Sequence, residues 1–332
     1  MRVLTPDLYE AHSEYLRAVR DFFQRAGFLE VETPLLNRHG AVELHLDSLS
    51  VQRRGLRKSP EAPRDPTDRS PNFAGYLVTS PEYNMKIVLS ELRRSIFQLA
   101  HSFREGDIGQ IHSEEFLMLE WYLVGGHEFA LMDQCEEFLQ YLSEQPFSRV
   151  RLPETKFRRR RVSELLQTHA NCPGLSRAEL LAALDRQNLL NPADRERPES
   201  IPYEDLFFSL FLNRVEEHLG VDGPEFVYDY PPELAALSRV ENGRARRFEI
   251  YWRRVELANG YFELTDPVEQ RRRFALDNQN RRRAGKPEME ADPAFLAALE
   301  RGLPECSGIA LGLDRLFMLL RNARTLAEVS MY

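Results

Sequence analysis

Arg104 closes a stretch in which odd positions Phe97, Leu99 and Phe103 are apolar, whereas the even ones are Gln98, Ala100, Ser102 and Arg104. A guanidinium fork there, directly before the polar segment Glu105 to Glu115, can hold a carboxylate and a phosphate together. One arginine alone reads as a surface or ion-paired group. The reading sharpens because Phe116, Glu120 and Tyr122 share one parity in the next stretch. An aromatic ring to stack a base and a carboxylate to meet an ammonium fit beside the fork. Asn259, Tyr261 and Glu263 also share parity, and Glu263 stands among apolar neighbours, where an unpaired carboxylate is costly and should meet a cation. Glu249 and Glu256 are candidate Mg2+ ligands, since a hard cation bridging phosphates takes one or two carboxylates. Glu256 has the opposite parity to Asn259, so both reach one site only across a bulge, expected near Ala258. Singly, each glutamate reads as a solvated group. The run Gly308 to Arg315 is either a backbone-approach motif, with Gly312 leaving room for a nucleoside and Arg315 meeting its phosphates, or a plain glycine-rich turn. It is neither a P-loop nor a GxGxxG motif.

The elements that must position these residues follow from periodicity. Leu8, His12, Tyr15, Leu16, Val19, Phe22, Phe23 and Ala26 recur at three- and four-residue steps and stop at Gly27, which predicts an amphipathic helix. Phe28 to Pro34 reads as a short strand. The alternating stretches around residues 96–104 and 116–123, joined by a polar loop, predict an antiparallel pair with one packed face and one face receiving something polar. Residues 52–72, rich in charge, proline and glycine, predict a mobile loop. Residues 129–225 predict a helical insertion with arginine-rich turns. Strand character returns at Arg247 to Trp252 and Val255 to Leu264, a charged helix follows from Val268 to Arg283, and the chain closes on an apolar helix.

Composition excludes several classes. The chain has 332 residues, 42% hydrophobic and 29% charged, enough for a sizeable core. No apolar run approaches the roughly 18 residues of a membrane span, and no signal-peptide core follows Met1, so a cytoplasmic protein is expected. Cys135, Cys172 and Cys306 lie far apart, so neither a disulfide framework nor a structural zinc site is expected. The net charge of -8 argues against a large nucleic-acid surface.

Taken in order, these pieces resemble the three signature motifs of class II aminoacyl-tRNA synthetases. Gly27-Phe28 through Glu30 to Pro34 resembles motif 1, Phe103-Arg104 through His112 to Phe116 motif 2, and Gly308 to Arg315 motif 3. Thr79 to Tyr83, Met118 to Tyr122 and Glu256 to Asp266 look specific to the lysyl branch. The similarity runs from about residue 8 to the C-terminus. Because it begins almost at Met1, an N-terminal anticodon-binding OB-fold is not expected, and the chain looks most like the stand-alone paralogues that ligate (R)-β-lysine to elongation factor P. Ala310, where the synthetases generally carry glycine, fits an amino-acid pocket reshaped for a shifted amino group.

The resemblance implies an α+β fold: a single class II catalytic domain over residues 1–332, an antiparallel sheet flanked by helices, with Arg104, Glu120, Tyr122, Asn259 and Glu263 brought to one cavity. It implies that Ser80, Pro81 and Glu82 line the amino end of the substrate and that Tyr122 and Glu263 hold its side-chain ammonium. Glu120 would lie nearby, Asn259 near the substrate carboxylate, and Tyr261 and Ala310 along the pocket. ATP would contact Arg104, Glu105, Gly106, His112, Ser113, Phe116, Glu256, Leu257, Gly312 and Arg315, with Mg2+ on Glu249 and Glu256. Arg104 and Arg315 would carry catalysis by stabilising charge. Two departures stand out: the glutamate of Phe-Arg-x-Glu is Gly106, and Gln110-Ile111 replaces a loop arginine before His112, so that Glu105 and Asp107 become candidates for the missing contacts. The expected reaction is ATP-dependent activation of lysine or β-lysine and transfer to elongation factor P by a homodimer. The rivals are a minimal lysyl-tRNA synthetase acting on tRNA, which the acidity disfavours, and a non-catalytic amino-acid or nucleotide sensor. Arg158 to Arg161, Arg271 to Arg273 and Arg281 to Arg283 read either as solvated helix faces or as docking patches for an acidic acceptor.

Overall fold

A computed structural model describes residues 5–44, 46–54 and 73–330 of the chain. The first helix, α1 (Pro6–Arg25), leads into strands β1 (Leu29–Glu30), β2 (Leu36–Asn37), β3 (Ser50–Gln52) and β4 (Phe73–Leu77). Helix α2 (Glu82–Leu92), strands β5 (Ile96–Phe103) and β6 (Glu115–Val124), and helix α3 (Glu128–Ser143) follow. Next come strand β7 (Arg158–Arg161), helices α4 (Val162–Ala170), α5 (Arg177–Arg186), α6 (Pro192–Glu196) and α7 (Tyr203–Arg214), and strands β8 (Glu225–Tyr230), β9 (Val240–Glu241), β10 (Arg244–Trp252) and β11 (Val255–Phe262). Helices α8 (Pro267–Arg283) and α9 (Pro293–Arg301), strand β12 (Cys306–Gly312) and helix α10 (Leu313–Leu320) complete the chain. This is an α+β fold, a mixed sheet flanked by helices. The loop expected over residues 52–72 lies outside the described residues from 55 to 72, and Gln52 itself ends β3.

Contacts divide the chain into two compact units, one of residues 1–122, 265–304 and 312–332, the other of residues 123–264 and 305–311. In the first, α1 buries Ala11, Tyr15, Ala18, Val19 and Phe23, the stripe its three- and four-residue spacing dictates. Phe23 stacks on Phe97 of β5 with ring centres 5.0 Å apart and meets Trp121 of β6 at 5.0 Å. Burying such rings contributes about 1.5–3 kcal/mol each. The expected strand over 28–34 shrinks to two residues, Leu29 and Glu30, paired parallel with Ile96 and Phe97. Strands β5 and β6 pair antiparallel along their whole length, from Ile96 opposite Tyr122 to Phe103 opposite Glu115. A small sheet in the order β2, β4, β3 lies in the same unit.

In the second unit the strands run β12, β11, β10, β8, β7. Its helical part shares a core with them: Leu165, Leu166, Leu184, Phe207 and Phe211 pack in one cluster with Val227 and Tyr251. Arg158 to Arg161, expected as a solvated helix face or a docking patch within the helical insertion, form instead strand β7, paired parallel with β8 from Arg158 opposite Glu225 to Arg161 opposite Tyr228. Four consecutive arginines form a strand because carboxylates meet them from several directions. Arg159 reaches Asp133 at 2.6 Å, Arg160 reaches the fully buried Glu225 at 2.8 Å, and Arg161 reaches Asp229 at 3.1 Å. The glycine-punctuated run near the C-terminus is likewise a strand, β12, rather than a turn. All three cysteines are buried and unpaired. Among the described residues, no helix is long and apolar enough to cross a membrane.

Candidate functional site

The candidate residues fall in both units, and each set has its own geometry. In the first unit the register places Gln98 opposite Glu120, Ala100 opposite Met118 and Ser102 opposite Phe116, so the even positions of both strands form one face. The expected packed odd face is present, with Phe97, Leu117, Leu119 and Trp121 buried and Leu99 and Phe103 partly so, and the polar even face is covered as well: Gln98, Ala100, Ser102 and Glu120 are all buried. The polar groups of this face are held in place by one another. The Tyr122 hydroxyl donates to Glu120 Oε1 at 2.5 Å, with both side chains 1% exposed. At the loop end of the face the Arg104 guanidinium lies over the Phe116 ring, 5.1 Å from its centre, a cation–π contact that fixes the plane of the fork.

Motif 3 meets the loop of motif 2 in the same unit. Arg315 Nε donates to the Ile111 carbonyl at 3.0 Å, beside His112. Burial lowers the pKa of His112, Arg315 and Arg104 lower it further, and Asp107 opposes them. Two guanidinium groups and an imidazole thus act on one another at close quarters, an arrangement that suits an anion. Gly312 has φ -74 and ψ 104, a backbone that any residue adopts. The three atoms nearest a Cβ built there all belong to the Arg315 side chain, at 3.8 to 3.9 Å, an ordinary contact. Neither its backbone nor the nearest protein atoms require glycine at this position, and the surface there has room for a ligand. Asp314, which sequence reasoning missed, anchors the element: its Oδ2 accepts the Leu117 N–H at 2.7 Å, and the Tyr15 hydroxyl donates to the Leu313 carbonyl at 3.1 Å.

Within the motif 2 loop, Gly106 has φ +76 and no atom within 4 Å of a built Cβ. A glutamate side chain there would sit on strained left-handed backbone. The carboxylate that meets this turn comes from Glu114, whose Oε1 accepts the Gly106 N–H at 2.9 Å. Of the two replacements expected, Asp107 lies 3.9 Å from His112 and Glu105 is exposed. Ser113 is half-buried in the same loop. Ser80, Pro81 and Glu82 form the start of α2, with Pro81 at its N-cap and Glu82 held to Lys86 at 2.6 Å.

In the second unit the bulge expected between Glu256 and Asn259 is present, displaced by one residue. Ile250 pairs with Ala258 and Tyr251 with Glu256, which leaves Leu257 as the extra residue. The shift restores parity, bringing Glu256 onto the face of Asn259 and Tyr261 while Leu257 is buried. Glu256, Asn259 and Tyr261 are the half-exposed positions of an otherwise buried strand, and Ala310 of β12 lies directly opposite Asn259. Glu263 continues the same parity and is 1% exposed; its N–H donates to the Cys306 carbonyl at 3.1 Å, and its own carbonyl accepts Arg239 Nε at 2.9 Å. Glu249 is differently placed from the sequence expectation of a metal ligand. Its Oε1 takes Arg247 at 2.5 Å, and its Oε2 takes the hydroxyls of Tyr230 at 2.6 Å and Tyr251 at 2.7 Å. On the face that Glu256 shares, Asn259 Oδ1 is a buried acceptor with no hydrogen-bond partner among the described residues.

A family model described as tRNA synthetases class II (D, K and N) matches residues 6–332. Among similar proteins, the elongation factor P (R)-β-lysine ligase of Hamiltonella defensa is 36% identical over 323 residues, spanning 96% of this chain and 92% of the relative. The proteins of the same name from Klebsiella pneumoniae and Proteus mirabilis are 37% and 38% identical, each alignment spanning 94% of this chain and 90% of the relative. With its three motifs carried on this α+β scaffold, the chain belongs to the class II tRNA synthetase family of the D, K and N branch.

Proposed function

We propose that this chain activates lysine or (R)-β-lysine with ATP and transfers it to a lysine side chain of elongation factor P. The observation that carries the reading is the near full-length similarity to several ligases that bear this name. The guanidinium groups of Arg104 and Arg315, beside the His112 imidazole and an unforced Gly312, support its nucleotide half. It is an ATP-dependent ligase, and no protein nucleophile is required. The amino-acid carboxylate attacks the α-phosphorus of ATP, pyrophosphate leaves, and an aminoacyl-adenylate forms. A deprotonated lysine amine of the acceptor then attacks the adenylate carbonyl, AMP leaves, and an amide results.

In this reading Arg104 and Arg315 stabilise the charge that builds on the phosphates. Phe116 stacks on the base, while Glu105, Gly106, His112, Ser113 and Leu257 contact the nucleotide. Ser80, Pro81 and Glu82 face the amino end of the substrate, Tyr122 and Glu263 take its side-chain ammonium with Glu120 behind Tyr122, and Asn259, Tyr261 and Ala310 shape the pocket. Glu256, with Asn259 Oδ1 beside it, would hold Mg2+, which offsets phosphate charge when bound. A cytoplasmic homodimer completes the proposal. Leu29, Leu35 and Leu36, around the motif 1 segment, are 37%, 38% and 45% exposed in the single chain, which suits a covered face. Amino-acid-dependent exchange of labelled pyrophosphate into ATP tests the activation step: exchange with lysine or β-lysine is expected, and none with either would overturn it.

A further inference from the structure

At the start of α2 a cavity of about 20 Å3, room for one water-sized group, is lined by residues that include His39, Gly40, Glu43, Thr79, Ser80 and Tyr83. Glu43 Oε1 accepts the Tyr83 hydroxyl at 3.0 Å, whereas Oε2 is sealed from solvent and has no donor among the described residues. Glu82, close enough to act on Glu43, is joined to Lys86 at 2.6 Å, and Lys86 is itself buried. Both carboxylates act on the Lys86 ammonium, and Glu82 holds it directly. Burial, and after it Glu82, raises the pKa of the Glu43 carboxyl, while its own backbone, Tyr83 and Lys86 oppose the rise. His39, also at the cavity, lies 3.8 Å from Glu290.

Glu43 is nevertheless held firmly. Arg281, 2% exposed, donates to the Glu43 carbonyl at 2.8 Å. The ring of Tyr83 stacks on Phe295 with centres 4.7 Å apart, which fixes the hydroxyl that orients the carboxylate. A buried acceptor without a donor is costly, and Glu43, which carries this one, lines the cavity, where a ligand N–H would satisfy Oε2 once a small shift of the carboxylate uncovers it.

We propose that Glu43 Oε2 receives the ammonium nearest the carboxyl end of the bound diamino acid, which makes Glu43 the residue that separates diamino acids from acids carrying only the remote amine. This rests on the amino-acid-activating reading above, through the neighbouring Ser80 and Glu82. The test compares lysine with 6-aminohexanoate, which keeps the remote ammonium and lacks the near one, on the wild-type protein and on Glu43→Gln. Affinities come from calorimetry with a non-hydrolysable ATP analogue, and KM for ATP from pyrophosphate exchange. Loss of one charge-assisted hydrogen bond should weaken lysine binding about 10- to 100-fold. Binding of 6-aminohexanoate should change less than about threefold, since it never made that bond. ATP should be unaffected. Tyr83→Phe, which keeps the ring and removes the orienting hydroxyl, should reproduce a smaller loss on lysine alone and serves if Glu43→Gln does not fold. Unchanged lysine binding, or equal losses on both acids, overturns the assignment. Wild-type protein that exchanges pyrophosphate with no diamino acid would instead remove the activation reading itself.

Discussion

Replacing Asp314 by asparagine should stabilise the protein at neutral pH and leave it unchanged in acid. The side chain is 8% exposed, and burial, the largest influence, pushes its pKa from an ordinary 3.8 to about 6. The Leu117 N–H and His101 pull it back down, and Glu115 adds to the rise. The folded state therefore holds this proton more tightly than the unfolded chain does. The stability it contributes is complete below about pH 4, drains away between about pH 4 and 6, and is absent above about pH 6. A rise of about two in pKa corresponds to about 3 kcal/mol. Asparagine keeps the acceptor for the Leu117 N–H and carries no charge, so it escapes this loss. Thermal melts of both proteins from about pH 4 to 8 should show a gap that opens between about pH 4 and 6 and then stays level, on the order of 5 °C. The KM for ATP should stay within about threefold, because the first turn of α10 keeps its anchor. A gap that is constant across the whole range would refute the assignment of this buried charge.

Glu263→Gln should weaken lysine binding by about 2 to 5 kcal/mol and leave ATP binding nearly intact, because it removes the charge partner of a desolvated ammonium; equal losses by calorimetry would contradict the role. Glu114→Ala frees the Gly106 N–H and should raise KM for ATP about tenfold at constant KM for lysine. An unchanged KM for ATP would leave Glu114 no part in the nucleotide loop. Arg281→Met should cost about 3 kcal/mol in urea melts, since the side chain donates to the carbonyls of Pro287, Glu43 and Leu46 at 2.9, 2.8 and 3.3 Å.

What could be read from the sequence was whatever local periodicity enforces. The stripe of α1, the antiparallel pairing of β5 with β6 and the bulge between Glu256 and Asn259 all follow from alternation or from three- and four-residue spacing, because each side chain's direction is set by its own backbone. What could not be read depends on partners far away in the chain. Arg158 to Arg161 read as a solvated helix face or a docking patch because Asp133, Glu225 and Asp229, which meet them, are distant in sequence. Arg281 to Arg283 read as one solvated helix face or one docking patch, yet Arg281 is buried against the carbonyls of Glu43 and Leu46 and Arg282 pairs with Glu288 at 2.8 Å. Arg271 is paired with Glu300, and Arg272 and Arg273 with Glu269. Glu43 passed unnoticed because a single acid between Val42 and Leu44 carries no period, although an acid between two apolar residues was a signal of burial. Glu249 looked like a metal ligand because Tyr230, its hydroxyl donor, lies on a different strand.

The central claim, that the activated amino acid goes to a protein lysine, is tested most directly by following its label. Purified protein, ATP and radiolabelled (R)-β-lysine or lysine are incubated with elongation factor P in one reaction and with tRNA in another, and acid-precipitable label is measured before and after mild alkali. The account expects alkali-stable label, an amide, on elongation factor P and none above background on tRNA. Alkali-labile label on tRNA with the protein acceptor unmodified would contradict it.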